Sequence, residues 1–150
     1  MKKILLIGAG RSTSSLVQYL LFNAENENWF ITIADQSKDL ASEAADNHKS
    51  AKAIAFDVNN DEERTRLIDE SDLVISMLPA SMHISVAEDC VKLKKHMVTA
   101  SYVSEEMKAL NNAAKSAGVI IMNEIGVDPG IDHLSAMRII DQIREKGGDL

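Results

Sequence analysis

Short apolar runs alternate along the chain with longer stretches whose apolar positions recur at helical spacing. Residues 4–7 are continuously apolar and end at Gly8, the pattern of a strand buried on both faces. From 12 to 23, Leu16, Val17, Leu20 and Leu21 fall on one stripe and predict a helix. Residues 31–34 predict a second strand, and Leu40, Ala41, Ala44 and Ala45 a second helix. Residues 53–56 read as a third, weaker strand. Asn60 is placed to cap the next helix, with Asp61, Glu62 and Glu63 in its first turn, where carboxylates suit the dipole. Residues 73–77 form the fourth predicted strand, which Pro79 stops, and Val86, Ala87, Cys90 and Val91 share a helix face. Residues 97–99 follow as a fifth strand. Ser104 caps a helix through Met107, Leu110 and Ala114 that Gly118 ends. Residues 119–122 give the sixth strand, and a last helix runs from Asp132, its expected N-cap, to about Lys146.

This β-α alternation predicts an α/β fold. Parallel strands need crossover helices, and those crossovers are right-handed. The expected architecture is a doubly wound parallel sheet of about six strands in the order 3-2-1-4-5-6. The expected division is a ligand-binding domain over residues 1–130, with 131–150 a helix leading toward a substrate domain outside this chain.

Length and composition narrow the class. With 150 residues, 45% hydrophobic and 26% charged, the chain is long enough for one domain with a real core. Its net charge of −7 argues against nucleic acid as a partner. No apolar run approaches the ~20 residues of a membrane span. The single cysteine forms neither an internal disulfide nor a zinc cluster, and no two histidines sit at i, i+4, so no metal site is expected. The expected compartment is the cytoplasm. A small molecule is the expected partner, with a homodimer left open.

Five segments carry candidate chemistry. Gly8-Ala9-Gly10-Arg11-Ser12-Thr13 follows strand one and opens a helix. Gly8 suits a tight turn, Gly10 lets backbone approach a pyrophosphate, and the helix N-terminus offers N–H groups. Thr13 replaces the third glycine of this dinucleotide-binding motif, so closer packing of strand and helix is not expected there. Asp35 ends strand two, at a spacing from Gly10 somewhat longer than the usual ~20 residues, where a carboxylate binds adenosine hydroxyls and repels a 2′-phosphate. That reading favours NAD over NADP, although Lys38 nearby weakens it. Asp57 follows strand three and borders the expected adenine site; helix capping explains it equally well. Ser76-Met77-Leu78-Pro79 ends strand four at the point where strand order reverses, the place where such sheets bind ligands. Ala100-Ser101-Tyr102 ends strand five on the same side, nearer the nicotinamide end. Last, Asn123-Glu124-Ile125-Gly126-Val127-Asp128-Pro129-Gly130-Ile131-Asp132-His133 is dense in shaped backbone and acids, and Asp128 is the first choice there for ligand contact. His83 follows the strand-four motif within reach of the crevice, but a lone histidine is more often structural or solvated. Cys90 reads as core.

These residues resemble a known family. Gly8-Ala9-Gly10, Val74-Ile75-Ser76-Met77-Leu78-Pro79, Ser101-Tyr102-Val103-Ser104 and the 123–134 segment look like saccharopine dehydrogenase of the glutamate-forming kind, across essentially the whole chain. The resemblance implies an NAD(P)-dependent oxidoreductase of lysine metabolism acting on the secondary-amine C–N bond of saccharopine. It interconverts saccharopine with glutamate and aminoadipate semialdehyde. By the same resemblance, Ala9, Gly10, Arg11 and Ser12 with Gly8 hold the pyrophosphate. Ala34, Asp35 and Gln36 meet the adenosine ribose, and Asp57 and Val58 lie by the adenine. Leu78, Ala100 and Ser101, with Val127, Asp128 and Pro129, line the nicotinamide side. Ser101, Tyr102 and Asp128 touch the amino-acid substrate, and Tyr102 and Asp128 are the catalytic candidates. NADP-using members carry an arginine at the place of Gln36, so the expected cofactor is NAD. The family also continues into a substrate domain, so this chain alone is expected to bind cofactor without turnover. Two other readings stand beside this one: a carboxynorspermidine dehydrogenase-like enzyme and a non-catalytic NAD-sensing module. A methyltransferase on a similar sheet would leave the Asp128 loop unexplained.

Overall fold

The computed structural model describes residues 1–149. Six parallel strands form one sheet: β1 (Lys2–Ile7), β2 (Trp29–Asp35), β3 (Ala51–Ala55), β4 (Leu73–Ser76), β5 (His96–Thr99) and β6 (Ile121–Met122). Their order is β3-β2-β1-β4-β5-β6, as the sequence predicts. β1 is central, pairing Ile4 with Ile31 of β2 on one side and with Leu73 of β4 on the other. The connections are α1 (Ser14–Ala24), α2 (Lys38–Ala45), α3 (Asp61–Asp69), α4 (His83–Leu93), α5 (Glu105–Ala109) and α6 (Asn111–Ala117); α7 (Ile131–Glu145) follows β6.

Side chains of a strand alternate between its two faces. Ile4 and Leu6 of β1 therefore pack with Ile31, Ile33 and Ile75 under α1 and α2, where Val17, Leu20, Leu21 and Ala41 are buried. Leu5 and Ile7 pack on the opposite face with Val74 and Met97 under α3 and α4, which contribute Leu67, Ile68, Val86 and Cys90. Asn60 caps α3 by accepting from Glu63 N–H at 3.2 Å, and Ser104 caps α5 through Met107 N–H at 3.2 Å.

Three local expectations change. The helix after Ser104 is two pieces, because Leu110 N–H closes an i→i+3 bond to the Met107 carbonyl and the chain restarts at Asn111. β6 is only two residues long, since the backbone of β5 reaches it through Met97 and Val98 alone. Asp132 is not the N-cap of α7. Gly130 holds that position, and Asp132 Oδ1 instead accepts from Gly130 N–H at 2.9 Å, closing the preceding loop. Among the described residues no helix is long and apolar enough to cross a membrane.

Candidate functional site

The chain reverses direction across the sheet between β3 and β4, so the loops after β1 and β4 diverge and leave a crevice at the carboxyl ends of the strands. Gly8 sits at the centre of that reversal with φ +101°, a conformation costly for any other residue. A Cβ there would also stand 2.9 Å from the Met77 carbonyl oxygen. Gly10 differs. Its backbone is ordinary, φ −70° and ψ 176°, and a Cβ would meet nothing within 4 Å. The fold does not require glycine at position 10; the open space beside it accommodates the backbone-to-ligand approach that a pyrophosphate needs. Arg11–Thr13 form a 3-10 turn leading into α1, with no side-chain cap on either N-terminus. Thr13 is 1% exposed, and its hydroxyl donates to the Gly10 carbonyl at 2.6 Å. The threonine therefore fills and ties the space that the missing third glycine would leave.

Two adjoining clefts make up the crevice. The first, about 280 Å³, is lined by Gly8, Gly10, Ala34, Asp35, Gln36, Phe56, Val58, Met77, Leu78 and Met82. The second, about 370 Å³, is lined by Ser12, Ser76, Met77, Leu78, Thr99, Ala100, Ser101, Tyr102, Asp128 and Pro129. Met77 and Leu78 belong to both. The loops singled out in the sequence thus converge on one edge of the sheet. Four of the expected residues lie outside both clefts: Ala9 and Arg11 line the groove beside α1, and Asp57 and the 73% exposed Val127 line neither cleft. That larger groove of about 620 Å³ lies between α1 and α2 and reaches the glycine loop at Ala9, Gly10 and Arg11.

Asp35 is placed at the crevice, but its carboxylate is already engaged. Oδ2 accepts from Ala9 N–H at 2.7 Å and Oδ1 from Ser37 N–H at 2.8 Å. It braces the glycine loop against the start of α2. Asp57 likewise turns inward on its own loop, with Oδ1 accepting from Asn59 N–H and Nδ2, both at 3.0 Å. Val58 is pinned from behind. Arg64, buried at 7% exposure, donates Nη1 to the Val58 carbonyl at 2.6 Å and Nε to Asp89 Oδ2 of α4 at 2.8 Å.

In the second cleft the Tyr102 hydroxyl donates to Asp128 Oδ1 at 2.5 Å. That bond, with the charges of Asp128, Asp132 and Glu124, holds the phenol above its ordinary range, so Tyr102 keeps its proton at neutral pH and serves as a hydrogen-bond donor. The loop carrying Asp128 is closed by backbone bonds from Gly126 N–H to the Pro129 carbonyl and from Ile131 N–H to the Gly126 carbonyl, each 3.0 Å. A Cβ on Gly130 would lie 2.1 Å from the Gly126 oxygen, so that closure admits only glycine. Gly126 in turn packs on the Ala100 side chain, which joins the two loops.

His83 is the residue that sequence reasoning undervalued. It is 3% exposed, with Nδ1 bonded to Ser76 Oγ at 2.8 Å and Nε2 to Ser101 Oγ at 2.7 Å. Its spacing, shortly after the strand-four motif, was the available signal.

A family model described as the saccharopine dehydrogenase NADP binding domain matches residues 4–122. The chain belongs to that family. It is 40% identical over 150 residues to the NADP+-dependent, L-glutamate-forming saccharopine dehydrogenase of Schizosaccharomyces pombe, covering 100% of this chain and 33% of that protein. It is 35% identical over 162 residues to alpha-aminoadipic semialdehyde synthase of Arabidopsis thaliana, covering 97% of this chain and 15% of that protein. The apo L-Glu-forming saccharopine dehydrogenase from Saccharomyces cerevisiae superposes with a TM-score of 0.88 at 34% identity, over 100% of this chain and 33% of that one. The chain thus spans about a third of the length of the saccharopine dehydrogenases it matches.

These matches correct the expected preference for NAD. The family is described by NADP binding, and the saccharopine dehydrogenase relatives are named for NADP+. The physical reason lies at Asp35. An acid whose two oxygens both accept backbone N–H groups is a brace for the loops, and its presence in the sequence does not report a ribose contact. Nor does Gln36 in place of arginine decide the matter, because Lys38 opens α2 two residues on.

Proposed function

We propose that this chain is the NADP-binding domain of an oxidoreductase that exchanges a hydride with the carbon beside the secondary amine of saccharopine. The observation that carries the reading is Gly10, a glycine that neither backbone conformation nor packing requires, facing open space at the entry to α1. A bound dinucleotide accounts for it. Residues 1–130 form the nucleotide-binding unit, and α7 (Ile131–Glu145) leads toward a substrate-binding part.

In this reading backbone N–H groups between Gly8 and Ser12 receive the pyrophosphate. Asp35 acts through the loops it braces, and Gln36 and Lys38 stand at the adenosine ribose, with Lys38 supplying the cation for a 2′-phosphate. Val58, held by Arg64, walls the adenine side beside Asp57. Leu78, Ala100 and Ser101, with 127–129, line the nicotinamide side. When bound, the dinucleotide would supply hydride chemistry at this end of the cleft. The chain's own contribution there is orientation and proton handling. Tyr102 keeps its proton beside Asp128 and donates a hydrogen bond, and the Asp128 carboxylate suits a protonated secondary amine. Hydride leaves only from the neutral amine, so the amine's proton would first pass to Asp128; loss of hydride from the carbon would then leave an iminium ion, and water would hydrolyse it to glutamate and aminoadipate semialdehyde.

Calorimetric titration of the folded chain with NADP+ tests the reading. Saturable one-to-one binding supports it, and no heat from a folded chain at millimolar ligand refutes it.

A further inference from the structure

We infer that His83 is a positioning residue of this site: anchored by Ser76, it fixes the Ser101 hydroxyl at the nicotinamide side, where that hydroxyl hydrogen-bonds the ligand. The inference rests on the NADP-binding reading above and adds to it a residue that does not line the cleft.

The geometry is a connected relay. Ser76 ends β4, His83 opens α4, Thr99 ends β5 and Ser101 follows it, so three separate elements meet at one imidazole. Ser76 and Thr99 are 0% and 1% exposed, which leaves their hydroxyls to be satisfied within the protein. Ser101 is held twice. Its hydroxyl meets His83 Nε2 at 2.7 Å, and its N–H donates to Thr99 Oγ1 at 3.3 Å. Thr99 Oγ1 in turn lies 3.3 Å from Nε2, so the shorter contact to Ser101 dominates.

Burial lowers the His83 pKa, and the ring is neutral at neutral pH. A neutral imidazole has one donor and one acceptor. One ring nitrogen donates and the other accepts, so the imidazole couples the Ser76 hydroxyl at Nδ1 to the Ser101 hydroxyl at Nε2 and fixes where Ser101 Oγ stands. Ser101 lines the second cleft, where its hydroxyl suits a polar atom on the nicotinamide half of a dinucleotide. A histidine that merely filled space would not need both nitrogens bonded at 2.7 and 2.8 Å.

The test uses NADP+ and 2′-phospho-ADP-ribose, which lacks the nicotinamide, against the whole chain by calorimetry. His83→Asn keeps an amide near the Nδ1 position but is too short for Ser101, whereas His83→Gln reaches the Nε2 position. His83→Asn is expected to weaken NADP+ binding about tenfold, the scale of one net hydrogen bond, and to leave 2′-phospho-ADP-ribose within about twofold. His83→Gln should recover most of the loss. On a Ser101→Ala background, His83→Asn should add nothing. Equal loss for both ligands, no loss for NADP+, or full additivity with Ser101→Ala overturns the assignment. Should His83→Asn not fold, Ser76→Ala removes the anchor with little change of volume and must show the same selective loss. A wild-type chain that binds neither ligand refutes the NADP reading itself, a result distinct from any of these.

Discussion

Alanine at Gly10 and alanine at Gly8 should have opposite consequences, because the two glycines are present for different reasons. At Gly8 an L residue must adopt φ +101° and place its Cβ 2.9 Å from the Met77 carbonyl oxygen. The backbone term is about 1–2 kcal/mol, and forcing β4 aside adds about 1–3 kcal/mol. Gly8→Ala should therefore destabilise the chain by about 2–5 kcal/mol, roughly 5–15 °C in Tm for a domain of this size. At Gly10 the backbone suits alanine, and the new methyl meets nothing within 4 Å. Gly10→Ala should raise stability by about 0.4–1 kcal/mol, through the smaller entropy of its unfolded chain. The same methyl occupies the approach to the pyrophosphate. A crowding cost of about 1–3 kcal/mol corresponds to roughly tenfold to hundredfold weaker NADP+ binding. Thermal unfolding by circular dichroism and calorimetric titration read the two quantities on the same samples. A Gly10→Ala chain that is more stable and still binds NADP+ at full affinity would refute the reasoning, since the open space would then have no ligand to explain it.

Other consequences can be measured separately. Lys38→Glu should weaken NADP+ binding about tenfold or more, the scale of a charge-assisted hydrogen bond, with little change for NAD+; equal losses for both would remove Lys38 from the 2′-phosphate. Burial pushes the Cys90 thiol up to about 12, so the native chain should resist alkylation at pH 8 and react only on unfolding, as quenched-flow labelling with and without urea would show. His83 has its pKa lowered in the folded state, so the unfolded chain takes up the proton first as pH falls. Stability should therefore decline as pH drops below the unfolded value of about 6.5, and His83→Gln should remove that part of the slope in urea titrations. Asp89→Asn should cost about 1.5–3 kcal/mol by loosening a buried guanidinium, and should weaken adenine-containing ligands, because Arg64 would no longer be held against Val58.

Much of the fold was legible because its signals were local. The continuous apolar run Ile4, Leu5, Leu6 and Ile7, buried on both faces, the caps at Asn60 and Ser104, and the glycine at 118 each act within a few residues. The convergence of Ser101, Tyr102 and Asp128 followed from strand order, since every βα loop of a parallel sheet opens on the same edge. Side-chain engagement was not legible. Asp35 stands where a ribose-binding acid would stand, and its oxygens also brace Ala9 and Ser37, a role set by the approach of two loops in space. Asp132 reads as a helix cap and instead closes the loop before the helix. His83 read as within reach of the crevice but more often structural or solvated, because its partners Ser76 and Ser101 lie on two other elements.

The central claim is that a dinucleotide lies across the carboxyl ends of the strands, and amide chemical-shift mapping with NADP+ on the isotope-labelled chain tests it most directly. The account predicts saturable shifts at Gly8, Gly10, Ser12, Gln36, Ser37, Val58, Leu78, Ala100 and Ser101. Shifts confined to Leu21, Leu40 and Ala44 in the groove between α1 and α2, or no shifts in a folded chain at millimolar NADP+, would contradict it.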